Sequence, residues 1–95
     1  MLRNSKIIVP KNVLEKIERK HNVYEHEIYE VFENRPYIVR VEKGYRNGED
    51  VYSAFGRTGS GRYLIVIFIG KVNGYKLVRS ARDMDPSERK RYEQR

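Results

Sequence analysis

Apolar and polar positions follow two different periods on either side of Pro36. Before it, Val13, Leu14 and Ile17 make one apolar stripe among Lys and Glu, which predicts a helix opening at Pro10 and running out near His21-Asn22. Tyr24, Ile28, Val31 and Phe32 then recur at helical spacing and predict a second helix, with Glu25, Glu27 and Glu30 mostly outside. Asn34-Arg35-Pro36 ends it, because proline pushes the preceding residue away from helical angles. Ahead of both lies a short apolar stub, Ile7-Ile8-Val9, readable as a brief strand or as a staple against the first helix.

After Pro36 the residues become β-branched and aromatic. Tyr37 to Val41 reads as a strand, Gly44-Tyr45-Arg46-Asn47-Gly48 as a turn, and Val51 to Gly56 as a second strand. Thr58-Gly59-Ser60-Gly61 reads as a tight reversal. Tyr63 to Ile69 is apolar at nearly every position, as expected of a strand covered on both faces. Asn73-Gly74 predicts a type I′ hairpin, with positive φ at both residues, leading into a fourth strand from Tyr75 to Ala81. Asp85-Pro86-Ser87-Glu88 is a helix start: an acid to cap, proline at the first position and Glu at the third. The body of that helix, Arg89 to Glu93, has almost no apolar face, so it is expected to be loosely held or covered by something outside the chain.

Short connections make consecutive strands antiparallel neighbours. The predicted fold class is α+β: two N-terminal helices, a four-stranded antiparallel meander and a C-terminal helix, with the helices on one face of the sheet. With 95 residues, the whole chain, 1–95, is expected to be a single domain.

Composition sharpens this. Charged residues make up 35% of the chain and the net charge is +7, carried by both halves rather than by a tail, which favours a polyanion or an acidic protein as partner. There is no cysteine, so disulfides and thiolate metal sites are excluded and a reducing, cytoplasmic setting is expected. No apolar run approaches the roughly 20 residues of a membrane span, so no membrane partner is expected, and Met1 to Lys6 is too polar for a secretory signal.

The meander determines which strand ends meet. One end is expected to carry Arg35, Arg57, Arg62 and Arg82, with Arg79 slightly back, while Lys43, Tyr45, Arg46 and Lys71 collect at the other. Guanidinium groups grip phosphate with two parallel hydrogen bonds, so the arginine end is a candidate phosphate and RNA site. Strict alternation along a strand points Arg79 and Arg82 to opposite faces, and Asp83 and Asp85 stand ready to pair with Arg82. His21 and His26, five apart across a helix break, lack the spacing of a helical metal pair, so no metal or other cofactor is expected. His21 at a helix end suits either general acid–base work or interaction with free carbonyls. The eight tyrosines serve equally as filler or as stacking platforms for unpaired bases. No phosphate-binding glycine loop or nucleophile elbow is present.

Lys20-His21-Asn22-Val23 and Glu30-Val31-Phe32-Glu33, followed by Gly48-Glu49-Asp50, Gly56-Arg57-Thr58, Ser80-Ala81-Arg82 and Glu88-Arg89-Lys90-Arg91-Tyr92, resemble the ordered motifs of BrnT-type toxins of bacterial toxin–antitoxin pairs. The match spans roughly residues 10 to 93. Asn22 stands where the family usually has glycine, Arg79 where it often has an aliphatic residue, and Asn4 to Glu15 departs from the common aromatic-rich start.

The resemblance implies a RelE-like fold and a metal-independent ribonuclease neutralised by a cognate DNA-binding antitoxin, with oligomers formed through that complex. The family's motif positions fall on Lys20, His21, Glu49, Arg57, Ser80 and Arg82, and all of these except Ser80 form the expected catalytic set. Arg35, Arg62, Arg79 and Ser80 complete the expected RNA-binding surface. Attack by the 2′-hydroxyl would use His21 or Glu49 as base or acid, and Lys20, Arg57 and Arg82 to stabilise charge. The alternatives are a non-catalytic RNA-binding module and a protein-docking module using the same basic surface.

Overall fold

A computed structural model describes residues 6–44 and 48–95. Residues 1–5 lie outside the described residues, as do Tyr45, Arg46 and Asn47 of the expected turn. The elements are β1 (Ile7–Ile8), α1 (Lys11–His21), α2 (Glu25–Glu33), β2 (Tyr37–Glu42), β3 (Val51–Arg57), β4 (Tyr63–Gly70), β5 (Lys76–Asp83) and α3 (Pro86–Glu93). The architecture is α+β, and among the described residues no helix is long and apolar enough to cross a membrane.

The expected meander is present: β2, β3, β4 and β5 are successive antiparallel neighbours. The sheet, however, has five strands in the order β1-β5-β4-β3-β2, because β1 pairs with β5 in parallel, Ile7 opposite Lys76 and Ile8 opposite Leu77. The expected four-stranded antiparallel sheet is thus extended to a mixed one. A two-residue strand is too short to carry a period, and it finds its place at the outer edge that β5, last in the meander, leaves open.

α1 and α2 cover one face of the sheet. Ile17, Val23, Ile28 and Val31 pack there against Ala54, Leu64, Val66, Phe68, Val78 and Ala81. α2 lies close to β3: a Cβ on Gly56 would stand 3.0 Å from Val31 Cγ1 and 3.2 Å from the Val31 carbonyl oxygen. Glycine at this position therefore sets the spacing between helix and strand.

The third helix corrects the expectation that all helices share that face. Phe55 and Ile65 alternate with the residues under α1 and α2, so they point to the other side, where they pack with Tyr92 of α3. Tyr92 is 6% exposed and acts as the apolar anchor of the helix. Arginine stacking supplies the rest of the cover: the Arg89 guanidinium lies 3.8 Å from the centre of the Tyr63 ring and that of Arg91 5.6 Å from Phe55. A helix without an apolar stripe is thereby held by its own chain. Its start is as predicted: the Glu88 amide donates to Asp85 Oδ1 at 2.8 Å and the Asp85 amide to Glu88 Oε1 at 2.9 Å.

The β4–β5 hairpin also differs in detail. Among Asn73 and Gly74 only the glycine has positive φ, at 90°. The Lys71 amide donates to the Tyr75 carbonyl at 2.8 Å and the Gly74 amide to the Lys71 carbonyl at 2.9 Å, closing a three-residue loop in place of the two-residue type I′ turn.

Candidate functional site

The C-terminal turn of α1 carries Lys20 and His21 and ends at Asn22, which adopts left-handed angles, φ 56° and ψ 37°. Asparagine tolerates this conformation, so the absence of glycine there leaves the helix end intact. The carbonyls of that end are held by Arg62. Its Nη2 donates to the His21 carbonyl at 3.1 Å and its Nη1 to the Asn22 carbonyl at 2.7 Å. Nη1 also reaches Glu27 Oε1 at 3.1 Å, while Nε and Nη2 form a fork on Asp83 at 2.8 and 3.1 Å. All five guanidinium N–H groups thus have acceptors inside the chain. The fork holds the Asp83 carboxyl below the usual carboxylate range, with His21 adding a smaller pull. Glu27, expected outside, is turned inward to meet Arg62, and its Oε1 also accepts from the Tyr24 amide at 3.0 Å.

Facing this helix end is the part of β5 beyond its short pairing with β1. The register of β5 against β4 slips between Ile67 and Phe68: Val78 lies opposite Phe68, but Ser80 lies opposite Ile67. Arg79 is the inserted residue of a β-bulge. The side chains prove the slip, because Val78 and Ala81, three apart, are both fully buried in the same cluster under α1 and α2. Strict alternation forbids that, and one extra residue permits it. The bulge overturns the expected opposition of Arg79 and Arg82: the inserted residue restores them to the same side of the strand.

Lys16, Lys20 and His21 of α1 and Arg79 and Ser80 of β5 line one cleft of about 220 Å³, floored by Val13 and Ile17. Lys16 and Lys20 are four apart on the helix and so share a face, a spacing that could have signalled Lys16 beforehand. Lys16, Lys20 and Arg79 are exposed and form no ion pair within the described chain, and no carboxylate lines the cleft. A helix C-terminus ordinarily repels anions. Here Arg62 covers the carbonyls of His21 and Asn22, so the cations of the cleft are left to dominate.

The other expected residues lie elsewhere. Arg57 and Arg82 are not part of the cleft lining and share the end and face where α3 sits: Arg57 stacks on Tyr63, 4.6 Å from the ring centre, and Arg82 grips Glu88. Asp83 pairs with Arg62, so the expected pairing of Arg82 with Asp83 or Asp85 side chains is replaced by the one with Glu88. Arg35 is exposed at the start of β2, the far edge of the sheet, with φ 53°. Glu49 precedes β3 while Arg57 is the last of its seven residues, which sets the two roughly 20 Å apart. Glu49 accepts from Lys71 Nζ at 3.0 Å. No family model and no curated protein matches the chain.

Proposed function

We propose that the cleft between α1 and β5 binds the phosphodiester backbone of RNA, and that the chain is a metal-independent, RelE-like ribonuclease toxin of the BrnT type. The observation that carries this reading is the meeting of Lys20 and His21 with Arg79 and Ser80 in one cleft free of carboxylates. Four residues named from sequence, two on a helix and two on a strand some sixty positions later, share a wall of cations that suits a phosphate.

In the proposed reaction the His21 imidazole takes the proton of the 2′-hydroxyl, whose oxygen attacks phosphorus as the bond to the 5′-oxygen breaks. Lys20 and Arg79 stabilise the added negative charge on the phosphate oxygens, and the Ser80 hydroxyl donates a further hydrogen bond. Water or the imidazolium returns a proton to the leaving 5′-oxygen. The products end in a 2′,3′-cyclic phosphate and a 5′-hydroxyl. Neutralisation by a cognate DNA-binding antitoxin belongs to the same reading and rests on the resemblance.

The test is incubation of purified chain with single-stranded RNA in EDTA. Cyclic-phosphate products are expected, and a Lys20→Ala/Arg79→Ala double variant should lose them. Intact RNA with the unmodified chain would overturn the catalytic reading. A second reading, RNA binding without cleavage, is favoured by the position of Glu49, which pairs with Lys71 outside the cleft and leaves the cleft without a carboxylate to act as the second acid or base. It predicts salt-sensitive binding of RNA that stays intact.

A further inference from the structure

Arg79 lines a second cavity as well as the cleft. This larger space, about 460 Å³, has Val51 and Ile69 as apolar walls and two lysines, Lys43 and Lys71, and two carboxylates, Glu42 and Glu49, at its rim. Val51 and Ile69 are directly paired residues of β3 and β4, so their side chains stand side by side on one face. Both are half-buried, left partly open by α3, which covers the other end of this face at Phe55 and Ile65. Arg79 is therefore a cationic post between two concave spaces: one polar and basic, the other apolar-walled with a polar rim.

We propose that the second cavity is a subsite for an unpaired nucleobase, belonging to the nucleotide next to the phosphate held in the cleft, with Arg79 gripping the phosphate that joins the two. The proposal rests on the RNA-binding reading of the cleft and extends it to a substrate class: single-stranded RNA engaged over at least two nucleotides. A base has apolar faces and a polar edge, matching apolar walls beneath a rim of charged groups. In a duplex the same base is stacked and paired, so it cannot turn its face to Val51 and Ile69 without being pulled out. The bulge makes the arrangement possible, because it gives β5 an extra residue at the boundary between the two spaces.

The test uses a fluorescently labelled 2′-O-methyl hexanucleotide, which binds as RNA does but lacks the attacking hydroxyl, and a blunt duplex of the same sequence. Ile69→Glu should weaken binding of the single strand by about tenfold, as loss of a stacked base does, while the already weaker binding of the duplex stays unchanged. Circular dichroism confirms that the variant is folded. As a check independent of any variant, a hexanucleotide carrying 4-thiouridine is photo-crosslinked to the unmodified chain, and adducts are expected on residues lining the second cavity. If Ile69→Glu binds the single strand as tightly as the parent, or adducts fall only on α1, the subsite is refuted while a loss with Lys20→Ala keeps the cleft reading intact. If the unmodified chain binds neither probe, the cleft reading fails and the subsite with it.

Discussion

Arg82 and Glu88 meet as a two-pronged pair, Nη1 to Oε1 at 2.8 Å and Nη2 to Oε2 at 2.9 Å, which ties β5 to the first turn of α3. Glu88 is also the third residue of the helix and completes its capping box with Asp85, so one carboxylate both starts the helix and docks it. Glu88→Ala removes both contacts. Both side chains remain partly exposed, at 36% and 21%, so water screens the pair, and the expected loss is about 1–2 kcal/mol by urea denaturation. Glu88→Gln, which keeps the reach to the Asp85 amide, should lose less.

Acid should loosen the same region. Glu88 is held below its ordinary range by its hydrogen bonds to Arg82, and the capping Asp85 by the one it accepts from the Glu88 amide. Unfolded, such groups titrate near about 4, so their contribution is complete above that pH and disappears as the pH falls through their lower folded values. Amide exchange in α3, corrected for the intrinsic pH dependence, should accelerate below about pH 4 before the helices on the other face respond. Simultaneous loss of protection on both faces would show that these pairs do not secure α3 locally.

Arg62 predicts a different kind of failure. Replacing it by Lys keeps one charge but loses the fork, leaving carbonyls of α1 and the Glu27 carboxylate short of donors. Arg62→Lys should cost about 2–3 kcal/mol, and Arg62→Ala at least as much, in chemical denaturation. A lysine variant as stable as the parent would mean that the fork contributes little.

Gly56→Ala should cost about 1–3 kcal/mol, because the added methyl meets both the side chain and the backbone of Val31, and the backbone cannot yield without moving α2. Thermal denaturation of the variant against the parent measures it.

If the cleft holds RNA phosphate, Lys20→Ala should weaken binding and lower the slope of log affinity against log salt by about one, as loss of a single phosphate contact does. Arg57→Ala should leave that slope almost unchanged, because its guanidinium lies on Tyr63, away from the cleft. A salt titration of both variants separates the two positions.

The sequence pattern made the helices, the meander and the start of α3 legible, because each rests on local chemistry: a period, a turn residue, a cap. The missed features depend on distant partners. β1 is too short to show a period, and its pairing with β5 is settled only when the sheet is assembled. The bulge at Arg79 has no glycine to announce it, yet it decides which side chains share a face. Lys20 and His21 were legible as a helix end, and Ser80 as a strand position, but not that they would share a cleft. Arg62 illustrates the converse: its charge was plain, whereas its acceptors come from α1, α2 and β5 and appear only in three dimensions.

The short pairing of β1 has a mechanical consequence for the cleft. α1 is fastened at one end by two rungs of parallel ladder next to Pro10, and at the other by the fork of Arg62 on the carbonyls of His21 and Asn22. These fastenings are unequal: the first is a two-residue pairing at the sheet edge, whereas the second is a guanidinium with all five N–H groups engaged, and it lies beside Lys20 and His21. Any swing of α1 away from β5 is therefore expected to begin at Pro10 and pivot at His21, like a door with its hinge at the working end, widening the mouth beside Val13 and Lys16 while the His21 corner keeps its shape.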